Sequence, residues 1–138
     1  FDVSNSAPDV LAATGLGATL TALRYTHFIA RLIYAAGDTA TGSRWTVDGP
    51  AASLIAYRSQ YGLTATSETV NYCNAYGLPL ASNASSPSID GNIAIIEGFV
   101  LPTANGTLKV RFASETAGSA ITVKAGSIMF AESYSTIL

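Results

Sequence analysis

Short apolar segments alternate with turn residues along most of the chain. The segments are rich in Thr, Val, Ile and Tyr, which favour extended backbone, and strong helix formers are scarce. Between two of them stands Asn105-Gly106, a pair preferred in type I′ hairpin turns because both central positions need positive φ. Many short strands at regular spacing predict an all-β fold, a sandwich or a barrel. The eight predicted strands are Ala18–Leu23, Thr26–Ala35, Gly42–Asp48, Ala52–Gln60, Ala65–Ala75, Asn92–Pro102, Gly106–Ser114 and Ala120–Phe130.

Two of the predicted strands are apolar on both faces. In Thr26–Ala35, Phe28 and its alternate neighbours point one way, while Ile29 and Ile33 point the other way. Asn92–Pro102 repeats the pattern. An antiparallel strand that is apolar on both faces is usually covered on both. These strands are therefore candidates for a subunit interface.

The composition strengthens that interpretation. Hydrophobic residues make up 49% of the 138 residues and charged residues only 12%, about half the share of an ordinary soluble domain. A membrane span would need an uncharged apolar run of roughly 18 residues, and the best stretch, Phe28–Ala36, is interrupted by Arg31. We therefore expect no membrane partner, and a single-domain subunit that buries part of its outer surface against copies of itself.

Candidate chemistry is sparse. The net charge is −2 and the seven basic residues are scattered, so the sequence has no basic stripe for nucleic acid. His27 is the only histidine and no Gly-x-Ser-x-Gly motif occurs, so we expect a hydrogen-bonded core or interface histidine rather than a catalytic one. Cys73, the only cysteine, is expected to be a small buried hydrophobe. No metal-ligand cluster is visible in the sequence, and we expect no enzyme activity and no cofactor.

Paired carboxylates are the one catalytic arrangement that needs weighing. Glu97 and Glu115 could approach one another across strands, as glycoside hydrolysis would require. Ion pairing of these acids with Lys109 or Arg111 on neighbouring strands is the favoured interpretation.

Aromatic residues and arginine point instead to a binding surface. Four of the seven tyrosines lie between positions 57 and 76, beside Arg58. Such side chains bury a large area yet keep a polar handle, which suits interface hot spots; tyrosines also stack on sugar rings. The predicted interface residues are Phe28, Ile29, Arg31, Ile33, Tyr57, Arg58, Tyr61, Ile95 and Phe99.

Two segments have loop or arm character. Pro79–Pro87 is dense in Ser, Asn and Pro, and we expect a surface loop there, at the distal tip of the molecule. Residues 1–13 are expected to form an extended arm that can cross to a neighbouring subunit. The chain begins at Phe1 rather than Met, so we expect a start residue or a longer segment before it.

The C-terminal third contains three runs with recurrent turn glycines and strand alternation: Ile96–Val100, Asn105–Glu115 and Gly118–Ser127. Earlier segments continue the pattern: Gly15-Leu16-Gly17, Tyr25–Tyr34, Thr39–Gly42 with Arg44, and Val47–Pro50. In these runs and in their order the chain resembles a domain common in bacteriophage structural proteins. The resemblance implies one antiparallel jelly-roll sandwich of the tumour-necrosis-factor or C1q type over residues 1–138, assembled as a homotrimer. Such domains serve in tail-fibre-like proteins and in capsid decoration or cement proteins.

The resemblance also sets the expected function. We expect a non-enzymatic virion protein, located on the capsid or tail surface, whose partners are its own copies and other virion proteins such as the major capsid protein. A compact chain with no shaft repeat favours capsid decoration. The alternative is a tail-fibre or receptor-binding module that recognises host-surface carbohydrate.

Overall fold

The computed structural model describes residues 1–134; residues 135–138, the end of the predicted domain, lie outside the described range. Within that range the protein is all-β, which confirms the predicted class. Its ten strands are β1 (Val3–Asn5), β2 (Ala12–Leu20), β3 (Tyr25–Ala36), β4 (Ser43–Asp48), β5 (Ala52–Thr64), β6 (Ser67–Cys73), β7 (Asn92–Pro102), β8 (Gly106–Ser114), β9 (Ile121–Val123) and β10 (Ile128–Tyr134).

The strands form two antiparallel sheets in a sandwich-like arrangement. The large sheet has the order β1-β9-β3-β7-β5-β6, and β10 also pairs with β3. The small sheet has the order β2-β8-β4. The prediction of one continuous strand over Ala120–Phe130 was wrong. The segment divides into β9 and β10 around Gly126, whose φ of +98° lies in the region that favours glycine.

The core lies between the two sheets. Alternate residues of β3, including Phe28 and Tyr34, are fully buried there, on the face opposite to Ile29 and Ile33, and this opposition is what the alternation predicts. The Tyr34 ring lies 4.9 Å from that of Trp45, which stacks on Phe112 at 5.5 Å, so aromatic side chains of β3, β4 and β8 join the sheets. Truncating such a buried aromatic to Ala typically costs about 3–5 kcal/mol.

A long connection covers the open edge of β4. The segment Asn74–Gly91 joins β6 to β7, and two of its amides donate to β4: Gly77 N–H to the Val47 carbonyl (3.1 Å) and Asn83 N–H to the Ser43 carbonyl (3.0 Å). An uncovered edge strand invites pairing with other chains, and this segment removes that risk at β4. Pro79–Pro87 is thus a surface loop packed along β4 and not the projecting distal tip expected from its composition.

The buried Arg44 holds the same segment in place. Its guanidinium donates to the backbone carbonyls of Gly77 and Pro79, and to that of Asp9 at 3.2 Å. The carboxylate of Asp9 in turn accepts hydrogen bonds from the Ser82 amide (2.9 Å) and hydroxyl (2.7 Å). One side chain of β4 therefore links the N-terminal segment to the loop.

The first residues pair within their own chain. β1 lies antiparallel to β9, with Val3 opposite Val123, and the Asp2 carboxylate lies 2.8 Å from the Lys124 ammonium. β2 already begins at Ala12, earlier than the sequence pattern predicts. Residues 1–13 therefore contain β1, a turn with Asp9 at positive φ and the start of β2, and β1 completes the edge of its own large sheet rather than reaching out as an arm.

Candidate functional site: the outer face of the large sheet

One face of the large sheet points away from the core; we call it the outer face. Strand register aligns its side chains in rows, for example Tyr72, Arg58, Glu97, Ile29 and Phe130 across β6, β5, β7, β3 and β10. The outer face consists of Tyr25, His27, Ile29, Arg31, Ile33, Leu54, Ala56, Arg58, Gln60, Glu68, Val70, Tyr72, Ile93, Ile95, Glu97, Phe99, Leu101, Ile128, Phe130, Glu132 and Tyr134.

Apolar exposure is concentrated on this face. Of the fourteen large hydrophobic residues that are exposed in the described chain, nine belong to it: Ile33, Leu54, Val70, Tyr72, Ile93, Phe99, Ile128, Phe130 and Tyr134. The face takes about nine residues from each of β3, β5 and β7 and seven from each of β6 and β10. At about 3.3 Å per residue and about 4.8 Å per strand the area is roughly 650 Å². A standard interface buries about 800 Å² on each partner, and exposed apolar residues gathered on one face mark interaction sites.

The predicted interface residues divide between the two faces of the large sheet. Six lie on the outer face: Ile29, Arg31, Ile33, Arg58, Ile95 and Phe99. The other three, Phe28, Tyr57 and Tyr61, are buried in the core. The physical reason is the two-residue period of a strand, which makes Tyr57 and Arg58 point to opposite faces. The prediction of these three side chains as interface contacts is therefore wrong, while an interface role for the six residues on the outer face stays a prediction.

The buried tyrosines have structural partners instead. The Tyr57 hydroxyl donates to the Leu78 carbonyl (2.6 Å) and lies 3.0 Å from the Thr46 hydroxyl, so it connects β5 to β4 and to the loop that covers β4. Burial raises the pKa of Tyr57 and raises that of Tyr61 to about 12. Both phenols are neutral at physiological pH.

Charged groups on the outer face are few and mostly lack ion pairs. His27 Nε2 lies 3.6 Å from Glu97 Oε1, and the Gln60 amide donates to the Glu68 carboxylate at 2.6 Å. Among residues 1–134, Arg31, Arg58 and Glu132 form no ion pair. The face therefore carries charges of both signs that remain free to pair with another molecule.

A shallow groove of about 640 Å³ crosses the outer face at the β5, β6 and β7 side. Its outer-face lining is Ala56, Arg58, Tyr72, Glu97 and Phe99. Of the two aromatic residues among these, Tyr72 is 84% exposed and Phe99 is 44% exposed. Tyr72 and Phe130 were not among the predicted interface residues. Large apolar residues recur at every second position, as Val70 and Tyr72 in β6 and as Ile128 and Phe130 in β10, and this period is a signal that could have found them.

The candidate catalytic acids lie on different sheets. Glu97 is on the outer face, whereas Glu115 follows β8 of the small sheet and accepts a hydrogen bond from the Gly42 amide at 3.4 Å. Arg111, which the sequence paired with one of these acids, lies 3.5 Å from Asp48 instead.

In the described range no three His, Cys, Asp or Glu side chains form a group that could hold a metal ion. Residues 1–134 also contain no helix with the length and hydropathy of a membrane span.

Comparison with known proteins found no family model, no curated protein and no solved structure that matches this chain.

Proposed function

We propose that this chain is a non-enzymatic structural subunit of a bacteriophage virion that assembles as a homotrimer of jelly-roll sandwiches. Capsid decoration, in which trimers clamp neighbouring copies of the major capsid protein at a local symmetry axis, is the favoured role. The virion assignment rests on the resemblance of Ile96–Val100, Asn105–Glu115 and Gly118–Ser127 to phage structural domains. The sandwich-like, all-β architecture is compatible with that resemblance.

The apolar outer face is the observation that carries the assembly part of the proposal. In a trimer each copy shares its outer face between two neighbours, so the three faces together remove on the order of 2,000 Å² from water. If about 60% of that area is apolar, at about 25 cal/mol per Å² the gain is roughly 30 kcal/mol. Each of the two association steps costs roughly 4–15 kcal/mol, so burial of the three faces is enough to offset them.

Light scattering of the purified chain at micromolar concentration tests the assembly. The expected mass is three times the 14.2 kDa of the chain. A stable monomer at this concentration refutes the assembly role. Antibody labelling of virus particles in electron micrographs then tests location: signal over the head supports decoration, and signal confined to the tail refutes it.

A receptor-binding module for host-surface carbohydrate is the second candidate. The exposed Tyr72 ring beside Arg58 is the specific observation in its favour, because aromatic faces stack on sugar rings and arginine donates hydrogen bonds to hydroxyl and carboxylate groups. A glycan array tests this candidate. Binding that is lost on Tyr72→Ala supports it, and absence of any glycan signal refutes it.

A further inference from the structure

The outer face has two unlike sides. On one side is the groove lined by Ala56, Arg58, Tyr72, Glu97 and Phe99. On the other side is the strand β10, whose outer residues Ile128, Phe130 and Glu132 we call the β10 ridge. Four strand spacings, roughly 19 Å, separate β6 from β10.

The β10 ridge is exposed and one edge of its strand is open. Within the described chain β10 pairs with β3 alone, so its other edge has unpaired backbone groups. Phe130 is 61% exposed and Ile128 is 43% exposed. An exposed edge strand with large apolar residues is a site where another chain binds unless something covers it.

The two sides differ in shape, a groove against a ridge, and each carries one charged side chain whose sign is opposite to that on the other side and which has no ion pair in the described chain. The groove offers aromatic and small apolar walls and two charged side chains. Its Glu97 carboxylate lies 3.6 Å from His27, whereas its Arg58 guanidinium has no ion pair among residues 1–134. The β10 ridge offers an aromatic side chain, Phe130, and two residues further along the same face the Glu132 carboxylate, which likewise has no ion pair in the described chain. Arginine and carboxylate form strong, directional hydrogen bonds when they are removed from water.

We infer that the β10 ridge of one copy occupies the groove of the next copy, with Phe130 between Tyr72 and Phe99 and with Glu132 on Arg58. This inference rests on the trimer proposed above and names its contact. A ridge-to-groove contact can form twice in a two-fold dimer, or it can repeat head-to-tail around a ring, which closes when the rotation between copies is one third of a turn. The homotrimer proposed above requires the head-to-tail arrangement. The occupant of the groove is a second copy of this chain.

Charge reversal tests the pairing. Arg58→Glu and Glu132→Arg each place like charges in contact, and each is expected to weaken association on the order of 30-fold or more. The double variant Arg58→Glu/Glu132→Arg restores opposite charges and is expected to recover the wild-type trimer. Arg24→Glu is the matched control, because this exposed arginine lies outside the groove and the ridge; it is expected to leave association unchanged.

Mixing the two single variants tests the ring. In a closed head-to-tail trimer made from both chains, at least one contact still joins like charges, so the mixture recovers less trimer than the double variant does. In a two-fold dimer both contacts become favourable, and the mixture recovers a particle of two chains. Full recovery on mixing therefore overturns the head-to-tail arrangement.

A second variant, at an exposed apolar residue of the β10 ridge, separates loss of association from loss of folding. Phe130→Ala removes mostly exposed atoms, and we expect a folded chain whose association is weakened at least tenfold. Single variants that remain trimeric with wild-type affinity overturn this contact while leaving the trimer intact. A monomeric wild type instead refutes the proposed function itself.

Discussion

Removing the Tyr57 hydroxyl tests whether this tyrosine belongs to the core. The hydroxyl lies within hydrogen-bond distance of three groups: the Thr46 hydroxyl (3.0 Å), the Ala75 carbonyl (3.1 Å) and the Leu78 carbonyl (2.6 Å). Tyr57→Phe leaves these groups without that partner, and each buried polar group without a partner costs about 1–3 kcal/mol. Some of them can find water at the surface of the loop, so we expect a net loss of about 2 kcal/mol in the free energy of unfolding.

Thermal and chemical denaturation measure this loss. At this chain length about 2 kcal/mol corresponds to roughly 6–10 °C in Tm. Wild type and variant need the same chain concentration, because the stability of an oligomer depends on it. Tyr72→Phe is the matched control: it makes the same chemical change on a tyrosine that is 84% exposed in the single chain, and it keeps the ring that the proposed trimer contact uses. We expect a change below about 0.5 kcal/mol. Equal effects of the two substitutions, or a Tyr57→Phe variant that loses association but not stability, would refute the core placement.

Three further predictions concern the loop, the termini of the large sheet and the lone thiol. Arg44→Met removes the donors that hold the Gly77 and Pro79 carbonyls, so we expect about 3 kcal/mol of destabilisation and faster proteolysis of the segment Asn74–Gly91, measured by denaturation and limited proteolysis; an unchanged proteolysis rate contradicts this. The Lys124 ammonium and the Ala125 amide lower the pKa of Asp2, so its contribution to the pairing of β1 is present above the unfolded pKa of about 3.9 and is lost as pH falls through the lower folded value. The protection factors of the β1 amides, measured by NMR hydrogen exchange and corrected for the intrinsic pH dependence of exchange, are expected to fall in acid in the wild type more than in Asp2→Asn, and identical pH profiles contradict the prediction. Burial raises the pKa of the Cys73 thiol, so a thiol reagent at pH 8 is expected to react slowly with the native protein and quickly after denaturation; rapid native reaction contradicts this.

Strand periodicity predicted the fold class and the faces of individual strands. The alternation in Thr26–Ala35 correctly placed Phe28 on the face opposite to Ile29 and Ile33. It did not show which face is the core, and the prediction of Phe28 as an interface residue was wrong because that side chain is buried. Tyr57 and Tyr61 were predicted as interface residues because they are aromatic, and their positions along the strand were not considered. They lie two residues before and two residues after the buried Ser59 in β5, on the same face. The two-residue period of the strand would have been sufficient to avoid that error.

Sheet order could not be predicted, because it depends on pairing between distant segments. The register that brings Arg58 between Tyr72 and Glu97 joins β6 and β7 to opposite sides of β5, and the long segment between β6 and β7 passes over β4 on the way. Nothing in the local pattern of Pro79–Pro87 indicates that it packs along β4. The groove was hidden from the sequence for the same reason, since three separate strands build it.

The pairing of β1 with β9 sets a late step in the maturation of the chain. Val3 lies opposite Val123, so the first strand has no partner in its own sheet until synthesis has passed residue 123. β2 waits similarly for β8, because Ala18 lies opposite Leu108. Contacts between such distant segments slow folding, and the earliest-made residues spend the longest time exposed. A chain that is truncated before β9 therefore leaves β1 without its partner strand, and the unpaired strand is exposed to chaperones and proteases.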